Sequence, residues 1–101
     1  MAGFVQIIEY KTSRFDEVQQ LGEEFREQAR ARGGGPVRVT ITKNRDLDNS
    51  YLTIAEFSSY EAAMANSNDP ATQQFAEAMG KLCDGPPNFY NLDYVDSWEN
   101  G

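Results

Sequence analysis

The sequence has 101 residues, 40% hydrophobic and 25% charged, the proportions of a folded chain with room for one core and not of a disordered one. A net charge of −7 repels phosphate backbones and anionic lipid, which argues against nucleic acid or a membrane surface as a partner. There is no histidine and one cysteine, Cys83, which excludes His-based nucleophilic triads, His-ligated haem, the usual zinc sites and an internal disulfide.

The lone thiol fits a reducing cytoplasm, and no histidine exists to activate it. The N-terminal MAGFVQIIEYK has no basic segment ahead of its short apolar run, so no signal peptide is expected, and no stretch is long enough for a membrane span. Phe4 to Tyr10 reads as the first strand. Phe4, Gln6, Ile8 and Tyr10 share one side, and Val5, Ile7 and Glu9 the other. Apolar residues on both sides predict an interior strand covered on two faces. A helix follows, with Ser13 as its expected N-cap and acids in the first turn. Phe15, Val18, Leu21, Gly22, Phe25 and Ala29 form its apolar stripe, and pairs such as Glu23–Arg26 its solvated face. Gly33-Gly34-Gly35-Pro36 ends it. A phosphate-binding glycine loop follows a strand and opens a helix, and this one does the reverse.

Val37 to Phe57 is a hairpin. Val37, Val39 and Ile41 oppose Arg38, Thr40 and Thr42, while Leu52 and Ile54 oppose Tyr51, Thr53, Ala55 and Phe57. Asn44, Asp46, Asp48 and Asn49 supply the turn. Read as a calcium loop from Asp46, this turn should end in glutamate at the twelfth position, but Phe57 stands there. Ser58 and Glu61 have capping-box spacing for a short helix from about Tyr60 to Ala65, broken by Asn66-Ser67-Asn68-Asp69. Asp69-Pro70 opens a third helix to about Leu82, and Asp84-Gly85-Pro86-Pro87 closes it. Phe89 to Trp98 alternates again and reads as the last strand. Glu99 to Gly101 reads as a mobile tail.

The order predicts one domain over residues 1–101. Its fold class is α+β, a ferredoxin-like βαββαβ sandwich with right-handed crossovers, whose four-stranded antiparallel sheet is covered by helices on one face. The uncovered face, expected to carry apolar residues from all four strands, calls for a second copy, hence a homodimer.

The run Ile54-Ala55-Glu56-Phe57-Ser58-Ser59-Tyr60-Glu61-Ala62-Ala63-Met64, then Ser67-Asn68-Asp69-Pro70, Phe75 and Met79, resembles the dimeric α/β-barrel superfamily and, within it, the antibiotic-biosynthesis-monooxygenase-like domains. That superfamily also houses isomerases, haem enzymes and proteins without known activity. Its haem-binding members use an axial histidine, absent here, so the resemblance implies no haem and no other cofactor. It implies a cofactor-independent monooxygenase acting on an aromatic or polyketide-like small molecule. The alternative is a non-catalytic small-molecule-binding or stress-related dimer.

Such chemistry needs an aromatic pocket and a few polar groups, and the resemblance implies a pocket between the sheet and the helices. Tyr51, Tyr60, Tyr90, Tyr94 and Trp98 are the candidate ligand-binding residues, with core and interface packing as the structural alternative. Arg38 is a candidate to neutralise an enolate, or else forms an ion pair. Asn91 is either a ligand contact or an edge residue. Glu9 and Glu56 are general bases if buried and solvated charges if exposed.

Overall fold

In the computed structural model, which describes residues 3–100, the expected elements form in the expected order. Met1 and Ala2, at the start of the leader reading, and Gly101, at the end of the mobile-tail reading, lie outside the described residues. The chain runs β1 (Phe4–Lys11), α1 (Phe15–Arg32), β2 (Arg38–Lys43), β3 (Ser50–Phe57), α2 (Tyr60–Asn68), α3 (Pro70–Leu82) and β4 (Asn88–Asp93). The strands form one antiparallel sheet in the order β2-β3-β1-β4, the ferredoxin-like arrangement.

Register decides which side chains meet. Phe4 lies opposite Phe57 and Asp93, and Tyr10 opposite Tyr51. Side chains alternate along a strand, so Phe4, Gln6, Ile8 and Tyr10 share a face with Tyr51, Thr53, Ala55 and Phe57. All three helices lie on that face. Ala63 and Met64 of α2 close over Phe4, Ala55 and Phe57. Phe15 and Val18 of α1, with Met79 and Leu82 of α3, close over Tyr10 and Tyr51. The core is therefore two clusters at opposite ends of the central strands. Farther along, α1 turns to α3, where Phe25 stacks on Phe75 with ring centroids 4.6 Å apart.

Several local expectations shift. β1 is interior, but helices cover only one of its faces, and Val5 and Ile7 on the other stay half-exposed. Ser13 does not cap α1. Arg14 holds the N-cap position without a side-chain bond, and Thr12 serves the turn instead. The i,i+3 pairs on α1 are Arg14–Glu17 and Glu27–Arg30. Gly33, Gly34 and Gly35 follow with φ of 79°, 82° and 87°, a conformation that side chains with a Cβ resist, and this releases the chain into β2. Ser59, not Ser58, caps α2, because its extended backbone lets its hydroxyl accept from the Ala62 amide at 3.0 Å. That helix runs through Asn68, since the polar run 66–68 keeps helical geometry until Asp69 turns out of it. Asp69 caps α3 as expected, accepting from the Ala71 amide at 2.8 Å. β4 ends at Asp93 instead of Trp98. That last residue of β4, Asp93, lies opposite Phe4, the first residue of β1.

Thr12 joins three parts of the fold. It is fully buried; its hydroxyl donates to the Leu82 carbonyl at 2.6 Å and accepts from the Arg14 amide at 3.0 Å. Thr12→Val keeps the shape and removes both hydrogen bonds from a part-buried junction. The expected loss is about 2 kcal/mol of unfolding free energy, read as a lower urea midpoint with an unchanged slope.

Candidate functional site

Between the two apolar clusters, the helix-facing side of the sheet carries a polar strip. Gln6 of β1 sits between Ala55 and Asn91 in the register, and Ile8 between Thr53 and Phe89. The Gln6 Nε2 amide donates to Asn91 Oδ1 at 3.0 Å. The Tyr10 and Thr53 hydroxyls lie 3.3 Å apart. The helices cover this strip incompletely. Of the apolar residues beside it, Val39, Ile41 and Phe89 are 48%, 49% and 53% exposed. At one end of the strip Tyr51 stacks between Tyr10 and Phe15, with centroids 5.8 and 4.2 Å away. Neutral donors and acceptors thus lie side by side on a floor of aliphatic and aromatic groups.

Burial pushes the Tyr10 phenol above its ordinary value of 10.0, partly countered by the bond to Thr53. Tyr10 therefore stays a protonated hydroxyl and can donate a hydrogen bond. Above pH 10 the unfolded chain loses this proton while the folded chain keeps it, so stability falls as pH rises from 10 through the folded value. Tyr10→Phe is expected to flatten that alkaline decline, measured by urea unfolding at pH 9 and at higher pH. An unchanged decline would assign the effect to other tyrosines.

The other face of the sheet, free of helices, holds a different group. Val5, Ile7, Leu52, Ile54, Tyr90 and Leu92 form its apolar part, and register places Arg38, Thr40 and Thr42 there from β2. Apolar residues on this face thus come from three strands and not four, because β2 turns its valine and isoleucine toward the helices. Glu9 Oε1 accepts from Asn88 Nδ2 at 3.0 Å and from the Tyr90 hydroxyl at 3.3 Å. Glu56 accepts from the Tyr94 hydroxyl at 2.9 Å, and Arg38 Nε lies 3.9 Å from its other oxygen. The Glu9 charge raises the Tyr90 phenol, and the hydrogen bond to Glu56 raises that of Tyr94.

The sequence candidates thus divide. Glu9, Arg38, Glu56, Tyr90 and Tyr94 lie on the open face. Asn91 lies on the helix side, at an edge strand and bonded to Gln6, and Tyr51 is packed in the core beside the polar strip. Tyr60 meets the edge of the Phe4 ring at 5.4 Å, in the other cluster, and Trp98 stands in solvent beyond the last strand. The strip residues Gln6, Thr53 and Tyr10 were missing from the sequence candidates. Their signal was polarity on a side shared with core residues, since Gln6 alternates with Phe4 and Ile8.

A hollow of about 530 Å³ runs along the outside of α1, lined by polar and charged residues between Asp16 and Glu27. It is an open helix surface without apolar walls, unlike a small-molecule site. Among the described residues no three His, Cys, Asp or Glu side chains gather closely enough to hold a metal ion, and no helix is long and apolar enough to cross a membrane.

Comparison by sequence finds no matching family model and no matching curated protein. Comparison by structure finds close likeness. A variant of SnoaB, a cofactor-independent oxygenase from Streptomyces nogalater, matches over 99% of this chain and 100% of its own, with a TM-score of 0.82 at 20% identity. Rv0793 from Mycobacterium tuberculosis matches over 97% and 100%, with a TM-score of 0.76 at 14% identity. An antibiotic biosynthesis monooxygenase matches over 92% and 99%, with a TM-score of 0.72 at 13% identity. The chain has the ferredoxin-like fold of the antibiotic-biosynthesis-monooxygenase-like proteins.

Proposed function

We propose that this protein is a cofactor-independent monooxygenase of an aromatic or polyketide-like small molecule, acting as a cytoplasmic homodimer. The carrying observation is the strip of neutral hydrogen-bonding groups, Gln6, Asn91, Thr53 and Tyr10, between two apolar clusters. A sheet face made only to receive helices would be apolar at those positions. The structural likeness to SnoaB, itself a cofactor-independent oxygenase, points the same way.

In this reading a flat phenolic or anthrone-type ring lies against Phe89 at the β4 side of the sheet, with its oxygen at the strip. Once ionised, such a substrate supplies the two electrons itself. One atom of dioxygen enters the product and the other leaves as water. The chain's part is to hold the ring and solvate the developing anion. Asn91 keeps a catalytic role, as a donor through its amide nitrogen, joined by the protonated Tyr10 hydroxyl. Tyr51 keeps its ligand-binding role as part of the aromatic wall. Glu9, Arg38, Glu56, Tyr90 and Tyr94 are assigned instead to a dimer surface formed by the open sheet face.

One observation favours a second reading, a non-catalytic small-molecule-binding dimer: the strip includes no carboxylate to take a proton. Dioxygen uptake with an anthrone-type substrate separates the two. Monooxygenation is expected in the native protein, and Asn91→Ala is expected to lower kcat/KM by roughly 10²-fold, the scale of losing one anion donor. Glu56→Gln should leave it nearly unchanged. Ring binding without dioxygen uptake would establish the binding reading. Neither binding nor uptake would remove the strip as the site.

A further inference from the structure

Val39 and Ile41 of β2 point toward the helices, beside Ala55 and Thr53 of β3, yet stay half-exposed. The helix on this side is α1, since Phe15 stacks on Tyr51 and Val18 is buried in the same cluster. Gly22 follows Val18 by one turn and precedes Phe25, which stacks on Phe75, by another. Residues at these steps share a face of the helix, so Gly22 faces inward. A Cβ built on it would nevertheless meet nothing within 4 Å. Mid-helix glycine weakens a helix relative to alanine, and no close contact here demands one.

The position of this gap follows from the two repeats. α1 runs the same way as β3, from the Tyr51 end toward the Glu56 end, where β2 begins. From Phe15 to Gly22 the helix advances about 10 Å. The same advance along β3 from Tyr51 is roughly three residues. Gly22 is therefore level with Thr53 and Ala55, and with Ile41 and Val39 opposite them. The gap has Val39 and Ile41 as its floor and Gly22 as its roof, and it opens on the polar strip at Thr53.

We infer that Gly22 sets the size of the ligand: its missing side chain leaves an apolar subsite over Val39 and Ile41, which takes the hydrocarbon part of the ligand beyond the strip. The inference rests on the strip as the ligand site, and it holds whether the protein oxygenates the ligand or only binds it. From β4 to β2 is three strand spacings, about 14 Å, so a single ring at Phe89 does not reach the subsite and a fused ring system extends into it. A ring held there removes Val39 and Ile41 from water, which α1 does not do at this level.

The test measures binding of phenol, naphthol and anthrone to the full chain by equilibrium dialysis under nitrogen, where no turnover occurs. In the native protein affinity is expected to rise with each ring. Gly22→Leu should weaken anthrone by roughly tenfold or more, the loss of burying one ring, and phenol far less. It should melt no lower than the native chain, because leucine favours the helix and enters empty space. Ile41→Trp fills the same gap from the sheet side and should repeat the size-dependent loss, and it decides the matter if Gly22→Leu does not fold. Anthrone binding that survives both fillings overturns the subsite and leaves the strip, which Asn91→Ala tests separately. An equal loss for phenol and anthrone also overturns it, because the fillings then disturb the strip itself. A folded Gly22→Leu that melts well below the native chain overturns it too, since the space is then already filled. Unchanged binding with an altered oligomer mass would give the gap to a second copy and overturn the subsite. Failure of all three probes to bind overturns strip and subsite together.

Discussion

Phe57→Ala is expected to lower the unfolding free energy by about 3–5 kcal/mol, the range for truncating a large ring in a packed core. Phe57 is 2% exposed, at the end of β3, where it meets Phe4, Ala55 and Ala63. Its ring centroid is 6.5 Å from that of Phe4. This cluster joins α2 to the sheet, and the core is split, so the second cluster around Tyr10 and Tyr51 cannot close over the gap. A domain of this size shifts by about 4–8 °C per kcal/mol, so the melting temperature should fall by roughly 15 °C or more. Tyr60→Ala is the control. Tyr60 touches the same Phe4 ring edge-on at 5.4 Å but is half in solvent, so its loss should cost only about 1 kcal/mol. Equal costs for the two variants would mean that the cluster is not packed around Phe57.

How far the sequence disclosed this arrangement depends on whether the cause was local. Asp69-Pro70 was legible, because a cap and a proline at the first helical position act within one turn. The alternation in Phe4 to Tyr10 and Tyr51 to Phe57 was legible, because each strand buries one side. Ser58 and Ser59 both fit the local pattern, and only the backbone angle at Ser59 selects it. The end of β4 was illegible, since it depends on the register of β4 against β1, some 85 positions earlier, as the Gln6–Asn91 separation shows. The same limit governs the site. Alternation shows that Gln6 shares a side with Phe4, and separately that Asn91 shares one with Phe89. That Gln6 meets Asn91, or that Glu9 meets Asn88 and Tyr90, follows only from the register between strands. Candidates chosen by residue type alone, such as Glu9 and Asn91, therefore fell on opposite faces of one sheet.

The remaining large effect concerns the open face. Ile54→Asp is expected to abolish the proposed dimer and leave the monomer folded. Ile54 lies on the helix-free side of β3, opposite Ile7 of β1 and Thr40 of β2, near the middle of the apolar patch. In the monomer an aspartate there remains in contact with water, so its cost to folding is small. Pressed against a second copy it becomes a buried charge without a cation beside it, because Arg38 lies near Glu56 at the rim. Such a charge costs about 3–5 kcal/mol, and a two-fold axis places one from each chain in the same contact. The dimer dissociation constant should rise by more than roughly 10²-fold, on the relation of tenfold per 1.4 kcal/mol. Thr42→Asp, on the same face but on the polar edge strand, should weaken the dimer far less. Sedimentation of the two variants at matched concentration decides the matter. If Ile54→Asp still forms a dimer of native strength, the apolar sheet face is not the surface that joins the copies, and another explanation is needed for why Val5, Ile7 and Ile54 stand uncovered.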